Sequence, residues 1–543
     1  MNKKIIDFIF GCIIFALPFK YIPSVLWQTY IGGPFGQDLV VYPIFFGIIY
    51  TVYCQWKYKN IGYRWDIFKK FALIYATVLL VSIFWGLINY PYYEWVFNGP
   101  KDQLEKLSKI LIFFNHIGIS DAEELLLRIW LVIRPIKSIF FEMLYTFGAT
   151  YMIICWYHTR VNDAIKILLK VNTVNLIIIA VYGMVDVFYQ NGQEWAQMTL
   201  AFLNSNIHAN VVVEYIPYEV STMMFRNLQN RSLFLEPSYF GIYMAFSSPL
   251  LWWDIYRRNN NIKRLMLFLL FLLVSFELFL SQSRLALVVN LGVFFLFSLL
   301  FMYKLRKKAL VFILILLTGG SLAFTGAILF LQYGQVSAPM GGGEPLATKW
   351  RVMQVKEDDK VKKGLSNVNT QKYFDEGVSS LSLGYEGEQH AGSNHSRFTV
   401  QKTHIQIGLE HPLLGVGTSF RQAFLRDKLD KDPGGEIQIW NKTIDKKGIL
   451  NRGFPNLGEF TLRFAETGIL GLIFYLFPAF ILFSLYIKKI IIERINLNSI
   501  VPIIFSTASF TGMFVTGLGE GLNITFCYWL AMAIGYLLTL EMK

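Results

Sequence analysis

Charge, paired cysteines and nucleotide-binding motifs are what this sequence has least of. Of its 543 residues only 16% are charged while 54% are hydrophobic, and the mean hydropathy is +0.43. A soluble domain of that length has no use for so much apolar surface, which leaves the lipid bilayer as the expected solvent. The four cysteines, Cys12, Cys54, Cys155 and Cys527, lie in or at the ends of apolar segments, with no CxxC and no Cys/His ligand spacing. Disulfide and zinc readings therefore both fail. No Walker lysine or Rossmann spacing accompanies the lone Gly-Val-Gly at 415–417, so a nucleotide site is not expected. A metal site is not expected either, because the acidic pair Asp358 and Asp359 sits among lysines in what reads as a solvated loop. The net charge of +13 is dispersed in short basic clusters between apolar runs, as orientation signals are, so nucleic acid is not an expected partner.

Apolar runs long enough to span occur at roughly 5–26, 38–54, 71–89, 137–156, 171–190, 237–253, 265–281, 285–303, 309–331, 462–486, 499–518 and 522–540. The expected fold is an all-α polytopic membrane protein with about twelve transmembrane helices. Lys3 and Lys4 precede the first run with no small-residue cleavage site after it, so that run is expected to stay as a helix. Alternate connections carry the basic clusters, among them Arg257, Arg258, Lys263 and Arg264, and Lys304, Arg306, Lys307 and Lys308. The positive-inside rule then puts those connections and both termini in the cytoplasm. Three long connections face outward: 90–136, 191–236 and 332–461. The chain thus divides into spans one to nine (1–331), a large extracytoplasmic loop (332–461) and spans ten to twelve (462–543). The first outer connection holds LEKLSKILIFF and AEELLLRIWLVI, amphipathic stretches suited either to lying flat in the interface or to forming a packed lid.

An arginine at a membrane mouth faces a desolvation cost unless an anion or a carboxylate meets it. Arg226, Arg231, Arg284 and Arg397 occupy such positions, with Glu236 close behind Arg231. From Arg397 the pattern becomes helical, with Arg397, Gln401, His404 and His411 on one side; Pro412 stops it, and Gly415 and Gly417 permit a tight turn or a close approach. The intramembrane acids are Glu142, Asp186 and Glu277, and Glu277, seven residues before Arg284, is read as lying on roughly the same helix face, either orienting an outer site or satisfying a neighbouring hydroxyl.

Four segments in order carry a family resemblance: RSLFLEPSYFG, SQSRLAL, SRFTVQKTHIQIGLEHPLLGVG and NLGEFTLRFAETGILGL. They resemble the bacterial O-antigen polymerase and O-antigen ligase superfamily of lipid-linked oligosaccharide enzymes, the polymerases of which are often called Wzy-type. The likeness covers 220–475 by motif and the rest by topology. It implies a fold similar to the GT-C glycosyltransferases, placed in the bacterial cytoplasmic membrane with its site facing the periplasm or exterior. The implied reaction is a metal-independent inverting glycosyl transfer from a glycan on undecaprenyl diphosphate to the end of the next repeat unit. A chain-length regulator is a further implied partner, and no cofactor is implied. Under this resemblance Arg284 and Arg397 are the expected diphosphate ligands, supported by Arg231, Arg226 and Gln401, since guanidinium groups are the available counter-charge for a leaving diphosphate. Glu236 and His404 are the candidate bases for the acceptor hydroxyl. Ligases usually show His-Asn before the E-x-G-x-x-G helix; this chain has Pro455 and Asn456, which favours a polymerase. Two alternatives stay open: a ligase delivering finished glycan to lipid A core or protein, and a transporter that flips lipid-linked glycan.

Overall fold

The computed structural model describes residues 2–19, 38–58, 66–207, 229–234, 236–334, 392–429, 435–451, 453–492, 497–522 and 526–540. These are all helix and connection, with no strand among the described residues. Each expected apolar run overlaps a helix where it is described, residues 20–26 of the first and 523–525 of the last lying outside the described residues: α1 (Lys3–Ala16), α2 (Val41–Tyr58), α3 (Asp66–Ile88), α5 (Ala122–Tyr157), α6 (Val161–Gln190), α8 (Pro237–Arg257), α9 (Asn261–Leu280), α10 (Arg284–Leu305), α11 (Lys307–Leu329), α15 (Glu459–Ile487), α16 (Leu497–Thr516) and α17 (Cys527–Leu540). Between them lie α4 (Ser108–His116), α7 (Glu194–Ile207), α12 (Gly392–Glu410), α13 (Arg421–Lys428) and α14 (Gly435–Lys447). Seven of the helices are long and apolar enough to cross a bilayer, so the protein is a multi-pass membrane protein.

Several helices begin where the sequence supplies a cap. Asn260 Oδ1 accepts from Lys263 N at 3.0 Å, Ser283 Oγ accepts from Ala286 N at 3.4 Å, and Pro237 occupies the first turn of α8, where its missing N–H costs nothing. The centre is a three-way contact of α8, α10 and α16. Small residues let these backbones approach: Gly241 lies against Ala286, Gly512 against Val293 and Ala245, and Asn290 Nδ2 donates to the Gly241 carbonyl at 3.0 Å. Phe297 and Phe505 then stack with centroids 4.9 Å apart.

Two sequence expectations need correction. AEELLLRIWLVI is no separate interfacial or lid element: it opens α5, a continuous 36-residue helix that takes one π turn at Leu144–Gly148 and includes the fourth apolar run. Glu277 and Arg284 do not share a helix, because the chain reverses between α9 and α10 with Gln282 at φ 50°. Glu277 instead points at Gly183 of α6, where a Cβ would sit 2.3 Å from its carboxylate. Within LEKLSKILIFF, Leu104 is buried, while α4 after it buries none of its side chains and exposes Ile112 and Phe113.

Candidate functional site

The site is built around a broken helix. At Gly468, φ 63° and ψ −165° interrupt α15 and free backbone groups that a membrane interior cannot leave unmet. The turn 412–417 meets them. Val416 N donates to Ala465 O at 3.0 Å and Gly417 N to Glu466 O at 2.9 Å, while Ile469 N donates to Pro412 O at 2.8 Å. Ser82 Oγ of α3 donates at 2.8 Å to Leu414 O or at 2.9 Å to Glu466 O, sharing one proton between the turn and the break. Gly415 and Gly468 are required here on two counts: both have positive φ, and a Cβ on either would lie 2.4 Å from a carbonyl carbon of the opposite strand of backbone. The glycines at 415 and 417 and the one in the E-x-G-x-x-G segment therefore form one joint, and it is a backbone joint rather than a phosphate cradle.

This joint aims Glu466 at two donors. Its Oε1 accepts from Ser419 N at 3.2 Å and lies 3.2 Å from Arg421 Nε. Arg421 also donates from Nη1 to His404 Nε2 at 3.0 Å and from Nη2 to Asn456 Oδ1. A guanidinium only donates, so Nε2 of His404 is an acceptor and the ring is neutral with its proton on Nδ1. Burial and the Arg421 charge both hold its pKa well below the usual histidine value. His404 has no exposed surface and its basic nitrogen is occupied, so it positions Arg421 and is out of reach of a substrate hydroxyl.

One turn earlier on α15, Arg463 is fully engaged. It donates to Glu459 Oε1 at 2.7 Å and to Glu142 Oε2 at 2.7 Å, and its guanidinium lies 4.7 Å from the Tyr475 ring centroid. Tyr75 Oη donates to Glu142 Oε1 at 2.9 Å, and Glu459 Oε2 accepts from Leu522 N at 3.0 Å. This network ties α3, α5, α15 and the start of the last helical segment together.

Arg397 lies at the turn that follows α16, and Leu285, the neighbour of Arg284, lies beside the same turn. Arg397 Nη1 donates to Gly519 O at 3.0 Å and pairs with Glu520 at 2.5 Å; Gln401 Nε2 donates to Leu457 O at 2.6 Å and Leu518 O at 3.0 Å. Gly519 also faces Leu285, next to Arg284: a Cβ there would be 3.4 Å from the Leu285 side chain. Arg284 is exposed and makes no hydrogen bond or ion pair among the described residues. Glu236 stands at the head of α8, which packs beside α10 through Gly241 and Ala286, and accepts from Ser238 Oγ at 3.3 Å. Arg231 goes elsewhere. It is 5% exposed in a wedge between α6 and α9, where Asn230 N donates to Leu280 O at 3.0 Å and Ser232 Oγ to Ile179 O at 2.7 Å, and Asp186 accepts from the Arg231 backbone N–H. Arg226 lies outside the described residues.

Sequence reasoning missed Arg421, Arg463 and Glu520. Arg421 and Arg463 read as ordinary basic residues in mixed segments; the signal that could have found them is Glu466 and Glu459, acids placed where a span begins and needing partners. Among curated proteins, none matches the chain. Residues 265–443, a third of the chain from α9 to α14, match the family model described as O-antigen ligase. The matched stretch holds Arg284, Arg397, Gln401, His404, the 412–417 turn and Arg421, so over that third of its length the chain is similar to the O-antigen ligase family.

Proposed function

We propose that the protein is a polysaccharide polymerase of the bacterial cytoplasmic membrane. It joins undecaprenyl-diphosphate-linked repeat units by inverting transfer on the extracytoplasmic side, within a twelve-span, GT-C-like bundle. The observation that carries this reading is that Arg397 is held at the turn 517–520 by Glu520, while Gly519 of that turn faces Leu285, the neighbour of Arg284, which is exposed and unpaired among the described residues. As the bond from sugar C1 to the diphosphate oxygen breaks, the electron pair leaves with the diphosphate, and two guanidinium groups there neutralise it. The acceptor hydroxyl attacks C1 from the opposite face and gives up its proton to a carboxylate, for which Glu236 is the candidate at that mouth. With His404 buried against Arg421 and Pro455 standing where ligases usually carry a histidine, nothing at these positions supplies an imidazole base.

A ligase is the second reading, favoured by the description of the matching family. Purified protein supplied with short lipid-linked repeat units separates them. A ladder of longer lipid-linked products without nucleotide sugar supports the polymerase. One shifted band on a separate acceptor means ligase, and no covalent change means transport.

A further inference from the structure

Helix α12 belongs to a connection between apolar runs, yet half of its free side is apolar. Phe398, Ile405 and Leu409 are exposed, Leu409 to 67%, and at 3.6 residues per turn they fall within about 40° of one another. Leu413, just past the helix, is 64% exposed and continues the strip. The exposed Lys402, Gln406 and Glu410 form the adjoining edge, where Gln406 Nε2 donates to Glu410 Oε1 at 3.2 Å and Lys428 Nζ pairs with Glu410 at 2.5 Å. The remaining side packs on protein, with Val400, His404 and Ile407 fully buried. A free side divided lengthwise into an apolar and a charged half suits the boundary between hydrocarbon and water.

Both ends of α12 are tied at the level of that boundary. At the C-terminal end the 412–417 turn meets Ser82 of α3 and the break at Gly468. Ser82 lies about 18 Å along α3 from Lys70, and Gly468 about 30 Å along α15 from Lys488, so the joint sits in the far half of a hydrocarbon core of ~30 Å. Ile88, about 9 Å beyond Ser82, closes the apolar span Lys70–Ile88 and is 79% exposed, which carries apolar surface past the level of the turn. At the other end Arg397 and Gln401 bond the turn that follows α16, whose apolar span Ser499–Thr516 is about 27 Å long. A helix held at such heights at both ends runs along the bilayer face instead of standing up into water. Below Leu413, whose carbonyl accepts from Leu470 N at 3.4 Å, the exposed Ile469, Ile473 and Phe480 extend the strip down one face of α15.

We propose that α12 is an interfacial membrane helix: Phe398, Ile405, Leu409 and Leu413 lie among the acyl chains of the leaflet opposite Lys488, and Gln406 and Glu410 lie among its headgroups. The unbroken run of exposed apolar side chains from Leu409 into the spanning part of α15 is what commits the occupant to lipid. The inference holds whether the protein polymerises, ligates or transports. It carries Arg397 at the depth where a lipid-borne phosphate lies.

The test places a nitroxide at Ile405→Cys, Leu409→Cys, Leu413→Cys or Gln406→Cys, in full-length protein whose four native cysteines are replaced by alanine, reconstituted in phosphatidylcholine nanodiscs. Oxygen concentrates in hydrocarbon and a nickel chelate stays in water. Oxygen collisions should exceed nickel collisions severalfold at 405, 409 and 413, and the ratio should reverse at 406. Wild-type protein gives an independent measurement that needs no substitution: phosphatidylcholine carrying a diazirine in its acyl chain should leave adducts on the 405–413 stretch as well as on 469–480. Nickel in excess at 405, 409 and 413 would mean that α12 stands in water. Few collisions with either reagent would mean that protein, from this chain or a second copy, covers the edge. Either result, or adducts on 469–480 with none on 405–413, would overturn the assignment.

Discussion

Arg421 and His404 are locked together, guanidinium to imidazole, at 3.0 Å inside the contact between α12 and α13, with Asn456 and Glu466 closing the other sides of the arginine. Removing Arg421 would leave the Glu466 carboxylate buried without its counter-charge. Arg421→Ala should therefore cost about 3–5 kcal/mol of stability, read as a sharp fall in melting temperature of the purified protein. His404→Gln, which still offers an acceptor to Arg421, should keep most of both stability and polymer formation; equal damage from the two variants would show that the ring itself acts in the reaction.

The same pair sets a pH dependence. His404 is held neutral when folded, with a pKa well below its ordinary value, while the unfolded chain titrates near 6.5. Below that pH the unfolded state binds the extra proton, so stability should be full above about 6.5 and fall on acidification, by up to about 1.4 kcal/mol per pH unit. His404→Gln should lose that slope in melting curves taken between pH 7 and 5.

Gly468→Ala should be severely destabilising, because the residue sits in a backbone region costing a side chain roughly 1–3 kcal/mol and its Cβ would also meet the Leu413 carbonyl at 2.4 Å. Gly292→Ala is the matched control: nothing lies within 4 Å of a Cβ there. Detergent-extracted yield and monodispersity should collapse for the first and stay normal for the second.

How much of this was legible beforehand differs by feature. The helices on the apolar runs were readable because a bilayer demands length and hydropathy, which composition records directly; seven of those described are long and apolar enough to span. The end of α12 before Pro412 and the need for glycine at 415 were readable for the same local reasons. The grouping of Arg421, His404, Asn456 and Glu466 was not, since it joins four segments through contacts that no spacing encodes.

Arg284 and Arg397 should fail differently. Arg284 makes no ion pair among the described residues, so Arg284→Ala should lower polymer formation on the order of a hundredfold with no change in melting temperature. Arg397→Ala also strands Glu520, which is 4% exposed, and should lose stability as well as activity. Lysine should restore only part of the activity at either position, because a point charge does not hold two phosphate oxygens as a fork does. Full activity in both lysine variants would count against the diphosphate assignment.

Polymer formation should also persist in EDTA, since the arginines supply the counter-charge that a divalent cation would otherwise bring. A loss of turnover restored by magnesium or manganese would show that a ligand set takes part.

The joint between 412–417 and the break at Gly468 also orders the making of the protein. Chains leave the ribosome from the N-terminus, so the turn is synthesised before the helix whose gap it fills. The first half of α15 thus enters the membrane with its missing backbone partners already made, and a truncated chain ending before α15 would carry a turn with nothing to receive it. The cost of an interrupted span is met by timing as well as by geometry: the stretch of helix that lipid would reject arrives after the turn that completes it.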